Sequence, residues 1–137
     1  MKRPWMIITL LLILPLFGCG DSSTAPPPAA GSAPSNPILV SGASYSGSVG
    51  TGMQYIKLTG LLANNMHSVT LAGLTDNANI YVYSDAAFTS ELCRSEQPGT
   101  TAETCSPATT NASGELYIKV DGSLTTSGTS FSLAAIT

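Results

Sequence analysis

Asn79-Ile80-Tyr81-Val82-Tyr83 and Glu115-Leu116-Tyr117-Ile118-Lys119-Val120-Asp121 are the two stretches whose pattern decides the fold. Both alternate. Side chains two residues apart along a strand share a face, so Ile80 and Val82 lie on one side of the first stretch and Tyr81 and Tyr83 on the other. In the second, Leu116, Ile118 and Val120 oppose Glu115, Tyr117, Lys119 and Asp121. Charged side chains stay in water, so the aliphatic set faces a core and the tyrosines face away from it.

The same two-residue period recurs on either side. Strands are expected at 44–49, 54–58, 67–72, 79–83, 115–120 and 131–136, with 37–40 as a further edge strand. Between them lie Gly60 to Asn65, Thr75-Asp76-Asn77 and Asp121-Gly122-Ser123, whose residues suit tight turns. No segment has sustained helical periodicity. Six or seven short strands in about a hundred residues need cover on one face of each, which an open sheet does not give. The reading is an all-β domain at 37–137: a single antiparallel β-sandwich of jelly-roll or immunoglobulin-like type, with Val69, Leu71, Phe131 and Leu133 also in its core.

What precedes the domain is not part of it. Residues 1–19 read MKRPWMIITLLLILPLFGC: two basic residues, an apolar run broken by Pro15, then small residues before a cysteine. That is an export leader, too short and too interrupted to span roughly 30 Å of hydrocarbon. Residues 21–36, DSSTAPPPAAGSAPSN, hold nothing more apolar than Ala and Pro. Such a segment cannot bury enough surface to fold, and its proline run favours extended chain at about 3 Å per residue. The organisation expected is leader 1–18, lipidated Cys19 with a disordered tether to residue 36, and sandwich 37–137.

Composition narrows the partners. Charged residues make up 9% of the 137, and the formal net charge is -3. An acidic, Lys-poor chain has no basic stripe to displace counterions from nucleic acid, so no nucleic-acid partner is expected. Cys19 belongs to the leader, which leaves Cys93 and Cys105 as a pair in a compartment that permits disulfides. They are expected to bond across a polar loop, residues 94–104. One histidine, His67, is too few for a zinc set with two distant cysteines. It stands at a strand start with no nucleophile-elbow pattern nearby and reads as a surface residue, so no catalytic residues and no cofactor are assigned.

Two sets of side chains remain as candidates. Asp76, Asn77 and Asn79 are closely spaced oxygen donors and form a weak calcium set, although Asp and Asn are common in turns for local hydrogen bonding alone. Tyr81, Tyr83 and Tyr117 project from the outer faces of two strands, where aligned rings can stack on a sugar or a peptide. Cross-strand packing, or cover by a loop such as 94–104, is the alternative role for these rings.

Two resemblances add to this reading. Leu16-Phe17-Gly18-Cys19 resembles the lipobox of bacterial lipoproteins, which implies acylation of Cys19 and membrane attachment through lipid. Gly20 stands where an Asp would favour inner-membrane retention, so the outer membrane is the expected address. The run from Leu74 through Asp85, then Leu92-Cys93, Gly99-Thr100-Thr101 through Cys105, and Gly114 through Gly122 resembles the bacterial pre-peptidase C-terminal domain, from about Tyr45 to Leu133. That resemblance implies a β-sandwich serving secretion, localisation or substrate binding without catalysis. The function expected is a non-enzymatic envelope lipoprotein for protein interaction or scaffolding. A carbohydrate-binding module using the tyrosine face is the second expectation.

Overall fold

The computed structural model describes residues 27–137. The leader, Cys19 and the tether as far as residue 26 lie outside the described residues. Nine strands follow in order: β1 Ile38–Ser41, β2 Ser44–Val49, β3 Met53–Thr59, β4 Met66–Ala72, β5 Asn79–Tyr83, β6 Glu91–Ser95, β7 Glu103–Thr109, β8 Leu116–Asp121 and β9 Thr129–Ile136. They form a five-stranded sheet, β1-β3-β8-β5-β6, and a four-stranded sheet, β2-β9-β4-β7. The fold is the β-sandwich that the alternation implied.

The inward faces are those read from the sequence. Ile56, Leu58, Ile80, Val82, Leu116, Ile118 and Val120 from the larger sheet meet Val69, Leu71, Phe131, Leu133 and Ala135 from the smaller one, all at 4% exposure or less. Each such side chain contributes about 1.5–3 kcal/mol by leaving water. This layer holds the two sheets together.

Three features depart from the expectation. One pair is parallel: β1 runs alongside β3, while the other pairs are antiparallel. A parallel pair requires a crossover, and β2 supplies it by passing through the opposite sheet between β1 and β3. Second, β6 and β7 occupy the segment expected to be largely loop, leaving 96–102 as the connection. Both are edge strands, polar for much of their length, and Pro107 lies within β7. An edge strand pairs on one side only, so it tolerates proline and needs little apolar alternation. Third, the chain between 28 and 36 is not free tether. Gly31 is buried, its carbonyl accepts a hydrogen bond from Tyr55 N at 2.8 Å, and Asn36 Nδ2 donates to the Pro28 carbonyl at 2.9 Å. The bonded body therefore begins about nine residues before the expected boundary at Pro37.

Cys93 and Cys105 form the expected disulfide, with Cα atoms 5.5 Å apart. Cys93 lies on β6 and Cys105 on β7, so the bond joins the edge strand of one sheet to the edge strand of the other.

Candidate functional site

The outer face of the five-stranded sheet carries Tyr81, Tyr83 and Tyr117, and the register shows what surrounds them. Tyr55, Lys119, Tyr81 and Arg94 lie in one row across β3, β8, β5 and β6; Lys57, Tyr117, Tyr83 and Glu91 form the next. Rings and charges alternate in the first row, and in the second two adjacent rings stand between two charges. Of the five basic residues in the chain, two are in the leader, and the other three, Lys57, Arg94 and Lys119, are all on this face.

The face is not an open tyrosine platform. The β5–β6 connection folds back over it and places Phe88 among three rings, with centroids 5.0 Å from Tyr55, 5.5 Å from Tyr83 and 5.8 Å from Tyr117. All three contacts are edge-to-face, the arrangement favoured by ring quadrupoles. Tyr83 and Tyr117 are consequently 7% and 5% exposed. The alternative of loop cover, for which 94–104 was the example, is met instead by 84–90. Asp85 holds this turn, its carboxylate accepting from Thr89 N at 2.9 Å, from the Thr89 hydroxyl at 2.5 Å and from Ser90 N at 3.2 Å. These bonds pull the Asp85 carboxyl below the usual range, the Thr89 hydroxyl first. Phe88 itself adopts a φ of 55°, a left-handed conformation uncommon outside glycine.

Tyr81 remains partly open, and its surroundings are charged. Lys119 Nζ lies 3.8 Å from the ring centroid and Arg94 Cζ 5.9 Å from it. The hydroxyl donates to Glu96 Oε1 at 2.7 Å. Burial, then the Glu96 carboxylate, push the phenol up to about 12. Arg94 pairs with Glu91 at 2.9 Å, whereas Lys119 makes no ion pair among the described residues. Its ammonium is held by the ring alone, a contact worth about 0.5–1 kcal/mol at an exposed site.

A second polar cluster surrounds Glu115. Its carboxylate accepts from Lys57 Nζ at 2.7 Å, the Tyr117 hydroxyl at 2.6 Å and Asn111 Nδ2 at 3.2 Å. With three donors on one acid, the carboxyl is pulled down to about 2, Lys57 being the largest cause. The same bond raises the Lys57 ammonium.

Of the remaining sequence candidates, Asp76 is used structurally, while Asn77 Oδ1 is buried without a hydrogen-bond partner. Asp76 Oδ2 accepts from Thr126 N at 2.8 Å and from its hydroxyl at 2.9 Å, and Oδ1 accepts from Asn77 N at 2.8 Å. This lowers the Asp76 carboxyl, with the Thr126 amide as the main cause. Asn79 is 8% exposed on β5. Asp76 therefore ties the β8–β9 connection to the β4–β5 connection. Among the described residues no three His, Cys, Asp or Glu side chains form a group that could hold a metal ion.

Two residues have roles the sequence did not indicate. His67 is not a surface residue: it is 5% exposed, and neither ring nitrogen has a hydrogen-bond partner. It lies on the inward face of β4 with Val69 and Leu71, an arrangement that Met66 and Ser68 on the other face do reveal in retrospect. Leaving buried polar atoms unpaired costs about 1–3 kcal/mol. Glu103 is fully buried, and both its oxygens accept from Gln97 N, at 2.9 and 3.0 Å. It anchors the 96–102 connection, and with it Glu96 beside Tyr81.

No family model matches the chain, and no curated protein matches it by sequence. Among solved structures, it is similar to the pre-peptidase C-terminal domain of a collagenase from Bacillus anthracis, with a TM-score of 0.50 and 9% identity over 72% of this chain and 92% of that one. It is also similar to PliG of Aeromonas hydrophila, a periplasmic inhibitor of g-type lysozyme, with a TM-score of 0.42 and 20% identity over 72% of this chain and 96% of that one. At 9% identity the likeness to the collagenase domain is one of fold alone, the β-sandwich.

Proposed function

We propose that the protein is a non-catalytic binding module of the bacterial cell envelope, held at the outer membrane by acyl chains on Cys19 and engaging an envelope protein through the outer face of its five-stranded sheet. The observation that carries this is the state of the rings on that face. Phe88 covers Tyr83 and Tyr117, and Lys119 lies over Tyr81. What the face offers is a lattice of ammonium, guanidinium, carboxylate and phenol groups around a rigid aromatic centre. Mixed charge with fixed aromatics suits protein recognition, where complementary charge sets register and encounter rate. Stacking on sugars needs open ring faces, and two of the three are taken. Export is supported by the leader and by a disulfide that an oxidising compartment would preserve.

Cross-linking in intact envelopes tests the reading. A photo-reactive side chain at Arg94 should yield a discrete protein adduct. Lys119→Glu should abolish it, while Leu124→Ala, at an exposed position in the β8–β9 connection, should not. An adduct indifferent to Lys119→Glu would refute the sheet face as the contact surface. Selective binding on a glycan array, lost in Tyr81→Ala, would replace it with the carbohydrate reading.

A further inference from the structure

Where β3 gives way to β4, the β3–β4 connection, the β1–β2 corner and the last residues of β9 border an open pocket of about 450 Å³. Its walls are Ala43, Leu61, Leu62, Ala135 and Ile136, and the ring of His67 forms part of its lining. Leu62 and Ile136 stand open at the rim, at 61% and 63% exposure. The volume falls in the range of small-molecule sites, which are concave, mostly apolar and supplied with few polar groups. The polar side chains of the lining are those of Thr137 and His67, the latter buried with both nitrogens unpartnered.

We infer that this cavity is a binding site for a small neutral aliphatic molecule carrying one hydroxyl or amide group, with His67 as its hydrogen-bonding partner. The walls select the aliphatic body. The imidazole selects the polar head, since a neutral ring offers one N–H donor and one acceptor, and a hydroxyl or amide can answer either. Charge is what the site rejects, because no residue lining it has a charged side chain; an anion entering it would lose its water without gaining a counter-ion. Both ring nitrogens are buried, so binding requires the imidazole to turn about its side-chain torsion until one of them meets the ligand. The inference does not rest on the protein-binding reading of the sheet face.

His67 is the one histidine of the chain, so its ring nitrogens give a single-site probe. In the purified protein labelled with nitrogen-15 at histidine, titration with 1-hexanol should move the imidazole nitrogen resonances along a saturating curve, together with the methyl signals of Leu62 and Ile136. Hexanoate at equal concentrations should leave them in place. In His67→Leu, which keeps the volume and removes the hydrogen bond, hexanol should bind about fivefold more weakly. Imidazole signals that do not respond to hexanol would overturn the inference. Hexanoate binding as tightly as hexanol would do the same, and so would unchanged hexanol affinity in the variant. The wild-type titration decides the matter even if His67→Leu folds poorly.

Discussion

Glu115 and His67 show how a single side chain's environment depends on contacts that its own residue type does not reveal. Glu115 was legible as an outward-facing acid on an alternating strand, but its three donors come from β3, β8 and the turn before β8. Its carboxyl is held near 2 in the folded protein against an ordinary 4.5. A depressed acid stabilises the fold above the unfolded value and loses that contribution as pH falls toward the folded one. Stability should therefore decline from about pH 4.5 down to about pH 2 partly on this group's account. Glu115→Gln should flatten that limb of a urea-unfolding series, and the effect should be modest because the cluster borders solvent. For His67 the expected sign is opposite to that of most core substitutions. His67→Leu removes two orphaned nitrogens and should raise Tm by about 4 °C or more in calorimetry.

At the scale of elements, the β5–β6 connection and the disulfide decide what the sheet face presents. An apolar residue alone in Ser84-Asp85-Ala86-Ala87-Phe88-Thr89-Ser90 was the available signal. It says that Phe88 needs cover, not where it lands. Three edge-to-face contacts at a partly exposed ring are worth about 1.5–3 kcal/mol together. Phe88→Ala should lower stability by about that amount and open Tyr83 and Tyr117 to iodination, which both should resist in the wild type. Across the sandwich, the Cys93–Cys105 bond closes a separation of 12 residues, a constraint worth about 3 kcal/mol on the unfolded chain. Because it ties β6 to β7, Cys93→Ala with Cys105→Ala should loosen both edges before the core. Hydrogen exchange should then accelerate first in 91–109, with β8 and β9 protected until global unfolding.

For the whole molecule, the proposed function gives the domain's address to the leader and its body to the sandwich. Cys19→Ser should leave the fold intact, remove incorporation of radiolabelled palmitate and shift the protein out of the membrane fraction. Palmitate labelling that survives the substitution would reject acylation at Cys19. The body reaches back to Pro28, since Gly31 and Asn36 are hydrogen-bonded into it. Deleting 28–36 should therefore destabilise the domain, measurable as a lower urea midpoint.

The sequence by itself determined the strand faces, the core and the cysteine pair. Two-residue alternation and compartment chemistry are local or compositional signals, and they hold wherever the strand finally lies. Tertiary structure alone decided the parallel place of β1, the two polar edge strands, the ring that closes over Tyr83 and Tyr117, and the burial of His67. Those outcomes depend on which loop lies against which strand. That is set by long-range packing, and a residue's type and spacing carry almost none of it.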